Sequence, residues 1–423
     1  MHVLFLSDNF PPEVNAPAAR TFEHARAWVR AGERVTVLTG APNFPTGRVF
    51  DGYRNRLFQR EIMDGIEVRR VWTYITANEG FLKRSLDYAS YMASAIAAAP
   101  FVRGVDVVVA TSPQFFAACA GLAAARMLRK PFVFELRDLW PESIRAVGAL
   151  RGGRILDALE RLEIQLYRNA AAIVPVTNSF RRALIARGVD GEKIHVVTNG
   201  ADLARFAPGS RDRALAAELG LSDAFVIGYV GTHGMAHGLT TLLEAAARLR
   251  QTPETRRVRL LLLGDGAEKK ALMASARAAG LTNVIFLDSV PRVEVTRYWS
   301  LLDAAVIHLK KTPLFETVIP SKLFECMAMG IPVLHGVRGE SAEIVEREKV
   351  GLTFEPENPQ ALCETVVRLM RDADLRRRLA DRGPRAAVGY DRQVLAGRML
   401  EVLRACAGAG AMHAGPVAEV VSP

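Results

Sequence analysis

The stretch Pro320-Ser321-Lys322-Leu323-Phe324-Glu325-Cys326-Met327-Ala328-Met329-Gly330-Ile331-Pro332-Val333 reads as a short helix followed by a buried strand. Pro320 fixes φ, Ser321 is a residue type that caps free N–H groups, and the helix should end near Gly330 before the strand Ile331 to Leu334. A helix start offers unpaired N–H donors and positive potential, which suits a pyrophosphate. Lys322 and Glu325 are three residues apart, so both side chains project from one face of the first turn. A cation for phosphate and an acceptor for sugar hydroxyls then share one pocket. In isolation the same residues also fit an acidic group that only complements the helix dipole, worth about 0.3–1 kcal/mol, beside a solvated lysine. The surrounding chain decides between the two.

Outward from this stretch, short runs rich in Val, Ile and Leu alternate with amphipathic helical stretches, the pattern of parallel sheets covered on both faces. In the first half the expected strands are Val3 to Ser7, Arg34 to Leu38, Ile66 to Trp72, Val105 to Ala110, Pro131 to Glu135, Ala171 to Val174 and Lys193 to Val197. A second series covers Phe225 to Val230, Val258 to Gly264, Asn283 to Leu287, Ala304 to Ile307 and Ile331 to Leu334. Between them, the polar stretch through Pro208, Gly209 and Ser210 is a linker candidate.

A chain of 423 residues exceeds the size at which one core keeps growing, so two domains are expected. The organisation read from the chain is an acceptor-binding domain over 1–200, a nucleotide-sugar-binding domain over 201–385, a helix over 386–406 returning to the first domain, and a disordered tail over 407–423. The fold class expected is α/β, two doubly wound Rossmann-like domains with an interdomain cleft where the carboxyl ends of both sheets meet.

The net charge of +10 is uneven. Residues 1–200 carry 26 Lys+Arg against 19 Asp+Glu, a net of +7, and 201–423 carry 29 against 26, a net of +3. The first half is therefore the one to meet an anionic surface. Cys119, Cys326, Cys363 and Cys406 form no CxxC or Cys/His cluster, which indicates neither a zinc site nor a disulfide framework and fits a cytoplasmic location. The start of the chain lacks a signal peptide's basic region, and Ser112-Pro113-Gln114 breaks the uncharged run Val107 to Ala125 into strand, turn and helix, so no transmembrane helix is expected. The segment Phe81 to Tyr88, continuing to Tyr91 and Met92, mixes cations with aromatics after Arg69, Arg70, Trp72 and Tyr74. That composition suits peripheral docking on an anionic membrane to reach a polyprenyl-linked acceptor, and equally an ordinary helix with a solvated basic face.

Gly228-Tyr229-Val230-Gly231-Thr232-His233-Gly234-Met235-Ala236-His237-Gly238 follows a strand and precedes a helix, so its backbone can approach a phosphate closely. It is not the dinucleotide fingerprint, and Gly264-Asp265-Gly266 lacks that motif's third glycine, which disfavours an NAD dehydrogenase. His237 is placed to donate to a phosphate oxygen, while Val290-Pro291 follows a strand and can present backbone groups to a flat base.

The order of these pieces resembles the family 4 glycosyltransferases over almost the whole chain. The resemblance is carried by Thr198-Asn199-Gly200-Ala201-Asp202 with Phe206 and Pro208, by Gly228 to Gly238, Leu262 to Gly266, Pro320 to Val333, and Gly351-Leu352-Thr353-Phe354 before Glu357-Asn358-Pro359. More narrowly, Phe10-Pro11-Pro12-Glu13, Arg137-Asp138-Leu139-Trp140-Pro141-Glu142-Ser143 and Thr312-Pro313-Leu314-Phe315 look like the fucosamine-transferase-like branch of O-antigen or exopolysaccharide assembly. The resemblance implies the GT-B fold, a UDP-sugar donor carrying an N-acetylated amino or deoxyamino sugar, retention of anomeric configuration, a lipid-linked or saccharide acceptor, and no metal or other cofactor.

Three departures from the family pattern redistribute its roles. The first of two glutamates spaced eight apart falls on Thr317, with Glu316 one residue out of register, and Glu325 fits the second. The Arg and Lys of the glycine loop fall on Thr232 and His237, so Lys322 becomes the phosphate cation, with Lys310 or Lys311 in reserve. Arg137 replaces a histidine after the first-domain strand. The resemblance then assigns catalytic work to Lys322, Asp138 and His237. It gives the nucleotide sugar to Gly231, Thr232, Gly234, Val290, Pro291, Thr317, Ser321, Lys322 and Glu325, and the acceptor side to Asn15, Arg137 and Asn199. Two rivals share this architecture: a UDP-sugar 2-epimerase, which needs no acceptor, and a non-catalytic scaffold of a polysaccharide assembly complex. Nucleic-acid binding has only net charge in its favour.

Overall fold

The computed structural model describes residues 1–44, 46–76, 81–139, 154–291 and 293–412. The chain forms two units, one made of Met1–Thr198 together with the chain from Gln393 on, the other of Asn199–Arg392.

The first unit holds β1 (His2–Leu6), β2 (Arg34–Thr39), β3 (Phe58–Met63), β4 (Ile66–Val71), β5 (Val107–Thr111), β6 (Phe132–Leu136) and β7 (Ala172–Pro175) in the order β3-β4-β2-β1-β5-β6-β7. Every neighbouring pair is parallel except β3 with β4. Successive side chains of a strand face opposite ways. Leu4 and Leu6 of β1 accordingly enter one core with Tyr91, Phe132 and Phe134, and Val3 and Phe5 enter another with Trp28, Val35 and Val37.

Helix Arg392–Met412 completes the second of these cores. Leu395, Met399, Leu400 and Leu403 recur at helical spacing and pack there with Trp28, whose Nε1 donates to Ala396 O at 2.9 Å. Each such side chain contributes roughly 1.5–3 kcal/mol when buried. At the far side Arg404 reaches Glu33 at 2.6 Å, and Glu33 also pairs with the Met1 amine at 2.7 Å. The helix runs to Met412, into the span read from sequence as a disordered tail, because its alanines favour helix.

The second unit holds β8 (Phe225–Val230), β9 (Val258–Leu263), β10 (Val284–Leu287), β11 (Ala304–His308), β12 (Val333–Gly336) and β13 (Gly351–Thr353), all parallel, in the order β10-β9-β8-β11-β12-β13. Together the two sheets make the α/β GT-B architecture, two Rossmann-like halves. In each sheet the direction of strand succession reverses once, between β1 and β5 in the first and between β8 and β11 in the second. Those reversals are the switch points at whose carboxyl edge open α/β sheets bind ligands.

Two strands escaped the sequence reading, and one expected strand does not form. Edge strand β3 carries three consecutive polar residues, Gln59, Arg60 and Glu61, and β13 is three residues long. The stretch expected as a strand over Lys193 to Val197 begins as a 3-10 turn, Gly191–Lys193. It then makes only scattered bonds beside β7, His195 N to Ile173 O at 2.9 Å and Val197 N to Pro175 O at 3.0 Å. The run Val107 to Ala125 resolves into β5, a turn and helix Phe115–Leu128. Among the described residues no helix is long and apolar enough to cross a membrane.

Candidate functional site

At the switch point of the second sheet, the loops after β8 and β9 lie directly on one another. Gly231 N donates to Leu263 O at 2.9 Å, and His233 N donates to Asp265 O at 2.8 Å. The approach depends on Gly264, which holds φ at +146°; a Cβ there would stand 1.9 Å from Gly231 O. Lys269 fastens the far side, donating from Nζ to Gly264 O at 2.7 Å and Leu287 O at 3.0 Å while pairing with Asp288. Gly264→Ala is therefore expected to cost about 2–4 kcal/mol through backbone displacement and to abolish nucleotide binding, as thermal melting and titration with nucleotide would register.

Lys322 opens helix Lys322–Met329, and its amine rests against the first of these loops. Nζ lies 3.6 Å from the centroid of the Tyr229 ring and 2.8 Å from where a Cβ on Gly231 would stand. It is buried and has no hydrogen-bond partner. Tyr229 is itself fully buried, and its hydroxyl donates to Thr232 O at 2.8 Å, which braces the loop from beneath. Burial pulls the Lys322 amine down to about 7, with Cys326 and Glu325 opposing the shift. A desolvated cation over an aromatic face with all its N–H donors unused is poised for an anion.

Glu325 lies one turn on and is half-buried. Ser321 does not cap the helix as expected: at φ −59° and ψ −28° its backbone is helical, whereas a capping residue is extended, and its hydroxyl makes no capping bond. The first turn instead closes through Leu323 N to Pro320 O at 3.0 Å and Phe324 N to Ser321 O at 3.1 Å. Thr317 ends the 3-10 turn Phe315–Thr317 and donates from Oγ1 to Leu314 O at 2.7 Å. Gly234 caps the short 3-10 turn Met235–His237. Thr232 is exposed on the loop.

His237 stands 5.7 Å from the Tyr229 ring. Burial, then the Lys322 charge, holds its imidazole at about 4, so at neutral pH it offers a phosphate only a neutral N–H. Its carbonyl accepts from His308 Nδ1 at 2.7 Å, while His308 Nε2 accepts from Glu357 N at 2.9 Å. This pairing puts the His308 proton on Nδ1 and pins the loop from a third strand. Neither His233, fully buried beneath the loop, nor His308 was singled out from sequence. Of the reserve cations, Lys311 is committed to Glu355 at 2.8 Å, and Arg338 shares that carboxylate at 2.7 Å. Lys310 is exposed. Val290 packs on the core after β10, and the exposed Pro291 accepts from Glu294 N at 2.8 Å.

In the first unit the carboxyl edge is organised around a buried ion pair that sequence reading missed. Arg20 Nε meets Glu135 Oε1 at 2.8 Å, and its other nitrogens donate to Val197 O at 3.0 Å and Thr198 O at 2.8 Å. Burial works to raise the Glu135 carboxyl, but Arg20, His24 and Arg137 reverse this and hold it at about 2. Arg137 and Asp138 follow β6, and Ser112 Oγ accepts from both of their N–H groups, at 2.7 and 3.3 Å. Asn15 caps helix Ala16–Arg30, its Oδ1 accepting from Ala18 N at 2.9 Å, which leaves its amide N–H groups to offer. Asn199 is half-buried and is the first residue of the second unit. The segment Trp140-Pro141-Glu142-Ser143 lies outside the described residues.

The aromatic and basic segment divides between core and surface. In helix Phe81–Ala98, Tyr91 is fully buried with its hydroxyl on Leu38 O at 2.8 Å, and Tyr88 is held by Arg84 at 2.9 Å. Lys83, Arg84 and Leu86 are exposed. Among the described residues no group of three or more His, Cys, Asp or Glu is arranged to hold a metal ion.

Both halves of the chain match known families. Residues 15–200 match "Glycosyl transferase 4-like domain", and residues 212–386 match "Glycosyl transferases group 1". Among curated relatives, the "Putative colanic acid biosynthesis glycosyl transferase WcaI" of Escherichia coli strain K12 is 26% identical over 341 residues, covering 78% of this chain and 82% of the relative. A "GDP-mannose-dependent alpha-mannosyltransferase" of Mycobacterium tuberculosis is 25% identical over 388 residues, covering 89% and 91%. Among solved structures, Anabaena Alr3699/HepE, crystallised in complex with UDP, superposes with a TM-score of 0.69 at 20% identity over 96% of this chain and all of that one. At that identity the likeness establishes the shared fold alone.

Proposed function

Because the chain belongs to the glycosyltransferases of the group 1 and 4-like type, we propose that it moves a sugar from a UDP-sugar to a lipid-linked or saccharide acceptor, with retention, in bacterial surface polysaccharide biosynthesis. The observation that carries this reading is the buried, unpartnered Lys322 amine against the Gly231 loop, at the switch point of the second sheet. Its neighbours supply the rest of the donor site. Backbone groups near Val290 and Pro291 face the base, Glu325 holds the ribose hydroxyls, and Gly231 to Gly234 with Thr232, Ser321, Thr317 and His237 surround the phosphates. The name of the colanic acid relative supports a place in polysaccharide assembly. The HepE complex favours UDP, whereas the mannosyltransferase relative uses GDP-mannose, which makes the base the first specificity to test.

As the sugar–phosphate bond breaks, negative charge grows on the β-phosphate. A fixed cation in a water-poor pocket stabilises that charge more than the ground state, which is what raises the rate. The proposed chemistry needs no metal: Lys322 and the neutral N–H of His237 meet the phosphates. The sugar transferred from UDP is an N-acetylated amino or deoxyamino sugar; the acceptor belongs to the first unit, with Asp138 taking the attacking hydroxyl's proton. Lys83, Arg84 and Leu86 form the surface proposed to meet anionic lipid on the cytoplasmic face of the membrane.

The Lys322 pocket makes binding proton-linked. Without ligand its amine sits at about 7, and a bound diphosphate returns it toward the ordinary lysine value. At pH 8 UDP binding is therefore expected to take up close to one proton, and affinity to fall by up to about tenfold per pH unit above 7. Calorimetric titration in buffers of different ionisation enthalpy measures this uptake. Binding without proton uptake at pH 8, or uptake that persists in Lys322→Met, contradicts the assignment.

A further inference from the structure

We propose that the first sheet's carboxyl edge contains an anion subsite, built from Arg137 and Gln114, that recognises a phosphate or carboxylate on the acceptor. The inference deepens the reading above and rests on the first unit taking the acceptor.

Buried polar groups are almost always hydrogen-bonded, so clustered exceptions need a cause. Gln114 is only 8% exposed, yet neither its carboxamide oxygen nor its nitrogen has a partner. It stands at the N-cap of the fourteen-residue helix Phe115–Leu128 without making a capping bond. Arg137, on the neighbouring loop, buries Nε and Nη1, also without partners. The two loops are joined, since Ser112 donates its N–H to Glu135 O at 3.0 Å and its Oγ accepts from Arg137 N at 2.7 Å.

The charges around Arg137 explain why it stays unpaired. Glu135, the nearest buried carboxylate, is claimed by Arg20 at 2.8 Å. Asp138 adjoins Arg137 in sequence, and Arg20 adds a second positive charge. Burial lowers Arg137 to about 10, which leaves it charged at neutral pH. A desolvated guanidinium, an idle carboxamide and a helix start thus sit on two joined loops where β5 and β6 end, a donor set that fits an anion's oxygens.

The other side of the same edge differs in character. Beyond β1, burial raises Asp8 well above the carboxylate range, with Asp87 and Glu13 adding to the shift, and Asp87 is itself raised to about 6. A carboxyl kept neutral by burial offers an anion no charge, and it both donates to and accepts from sugar hydroxyls. The strand order β2-β1-β5-β6 therefore orients an acceptor with its hydroxyls toward β1 and its charged group toward β5 and β6.

The test titrates the full chain, preloaded with saturating UDP, with glucose 1-phosphate, methyl β-glucuronide and the neutral methyl β-glucoside. At least one anionic sugar is expected to bind at least tenfold more tightly than the glucoside, and which one does separates a phosphorylated acceptor from a uronate-bearing one. Arg137→Gln should remove that preference while leaving glucoside binding in place; Arg137→Lys, which keeps the charge, should retain most of it. Gln114→Leu should weaken the anionic probe several-fold and serves if Arg137→Gln fails to fold. Equal affinities for charged and neutral sugars, or an anionic preference unchanged in both Arg137→Gln and Gln114→Leu, overturns the subsite. Failure of UDP to bind would instead sink the donor assignment, and the Arg137 comparison would still stand.

Discussion

Lys322→Met is expected to lower kcat/KM by about 10²–10³-fold while leaving the fold intact and slightly more stable. Methionine fills the lysine's space over Tyr229 without a charge, so the pocket loses the cation held against Gly231. The loss belongs in kcat as well as KM, because the charge on the departing β-phosphate is largest in the transition state. The gain in stability follows from burial. Below about pH 7 the amine is charged in both folded and unfolded chains and the desolvation cost is fully present. Between about 7 and the ordinary lysine value the folded amine is neutral while the unfolded one still binds its proton, so the wild-type chain gains stability with rising pH across that window. The variant should show no such rise. Below pH 7 it should melt about 2 °C or more above wild type. Kinetics with the donor and melting at pH 6 and pH 9 test both halves, and a fully active variant would mean that another group meets the phosphates.

Arg20→Met is expected to destabilise the first unit by about 3–5 kcal/mol, the cost of leaving a buried carboxylate without its partner. Arg20 joins three parts of the unit: its own helix, Glu135 at the end of β6, and the backbone carbonyls of Val197 and Thr198. Glu135 is completely buried and its second oxygen has no hydrogen bond, so Arg20 is its chief compensation, with His24 and Arg137 adding to it from further off. In the wild-type chain the depressed carboxyl contributes stability that is complete above the ordinary carboxylate value and is lost as pH falls toward about 2. The difference between wild type and variant should therefore be largest near neutral pH and shrink below about 4.5. Glu135→Gln, which removes the charge but keeps the shape, should be markedly milder than Arg20→Met. Denaturant unfolding across that pH range would measure the difference, and a flat difference would argue against the ion pair as its source.

The sequence disclosed the sheets more readily than the contacts that make the site. Strands such as β1, β5, β8 and β11 are almost wholly apolar because both faces are covered, and that composition is local. β3 was invisible because Phe58-Gln59-Arg60-Glu61-Ile62-Met63 half faces solvent at an edge, and Lys193 to Val197 looked like a strand but finds no continuous partner. Lys322 was legible because its spacing from Glu325 lies within one turn. Its surroundings were not, since Tyr229 and Gly231 come from a strand almost a hundred residues earlier. Arg20 and Glu135 are 115 residues apart, and no periodicity links them. Ser321 marks the limit of residue-type reasoning: its identity suits a cap, but the turn closes through backbone bonds instead. Gln114 and Arg137 became interesting only through bonds they do not make, which a sequence cannot register.

The account is tested most directly by titrating the wild-type chain and Lys322→Met with UDP and GDP, each alone and as its N-acetylhexosamine or hexose conjugate. It predicts that wild type binds UDP and a UDP-sugar, that GDP and its conjugate bind at least tenfold more weakly, and that Lys322→Met loses at least tenfold in affinity for UDP without losing its fold. Absence of nucleotide binding by wild type, a preference for GDP, or UDP binding unchanged in Lys322→Met would contradict it.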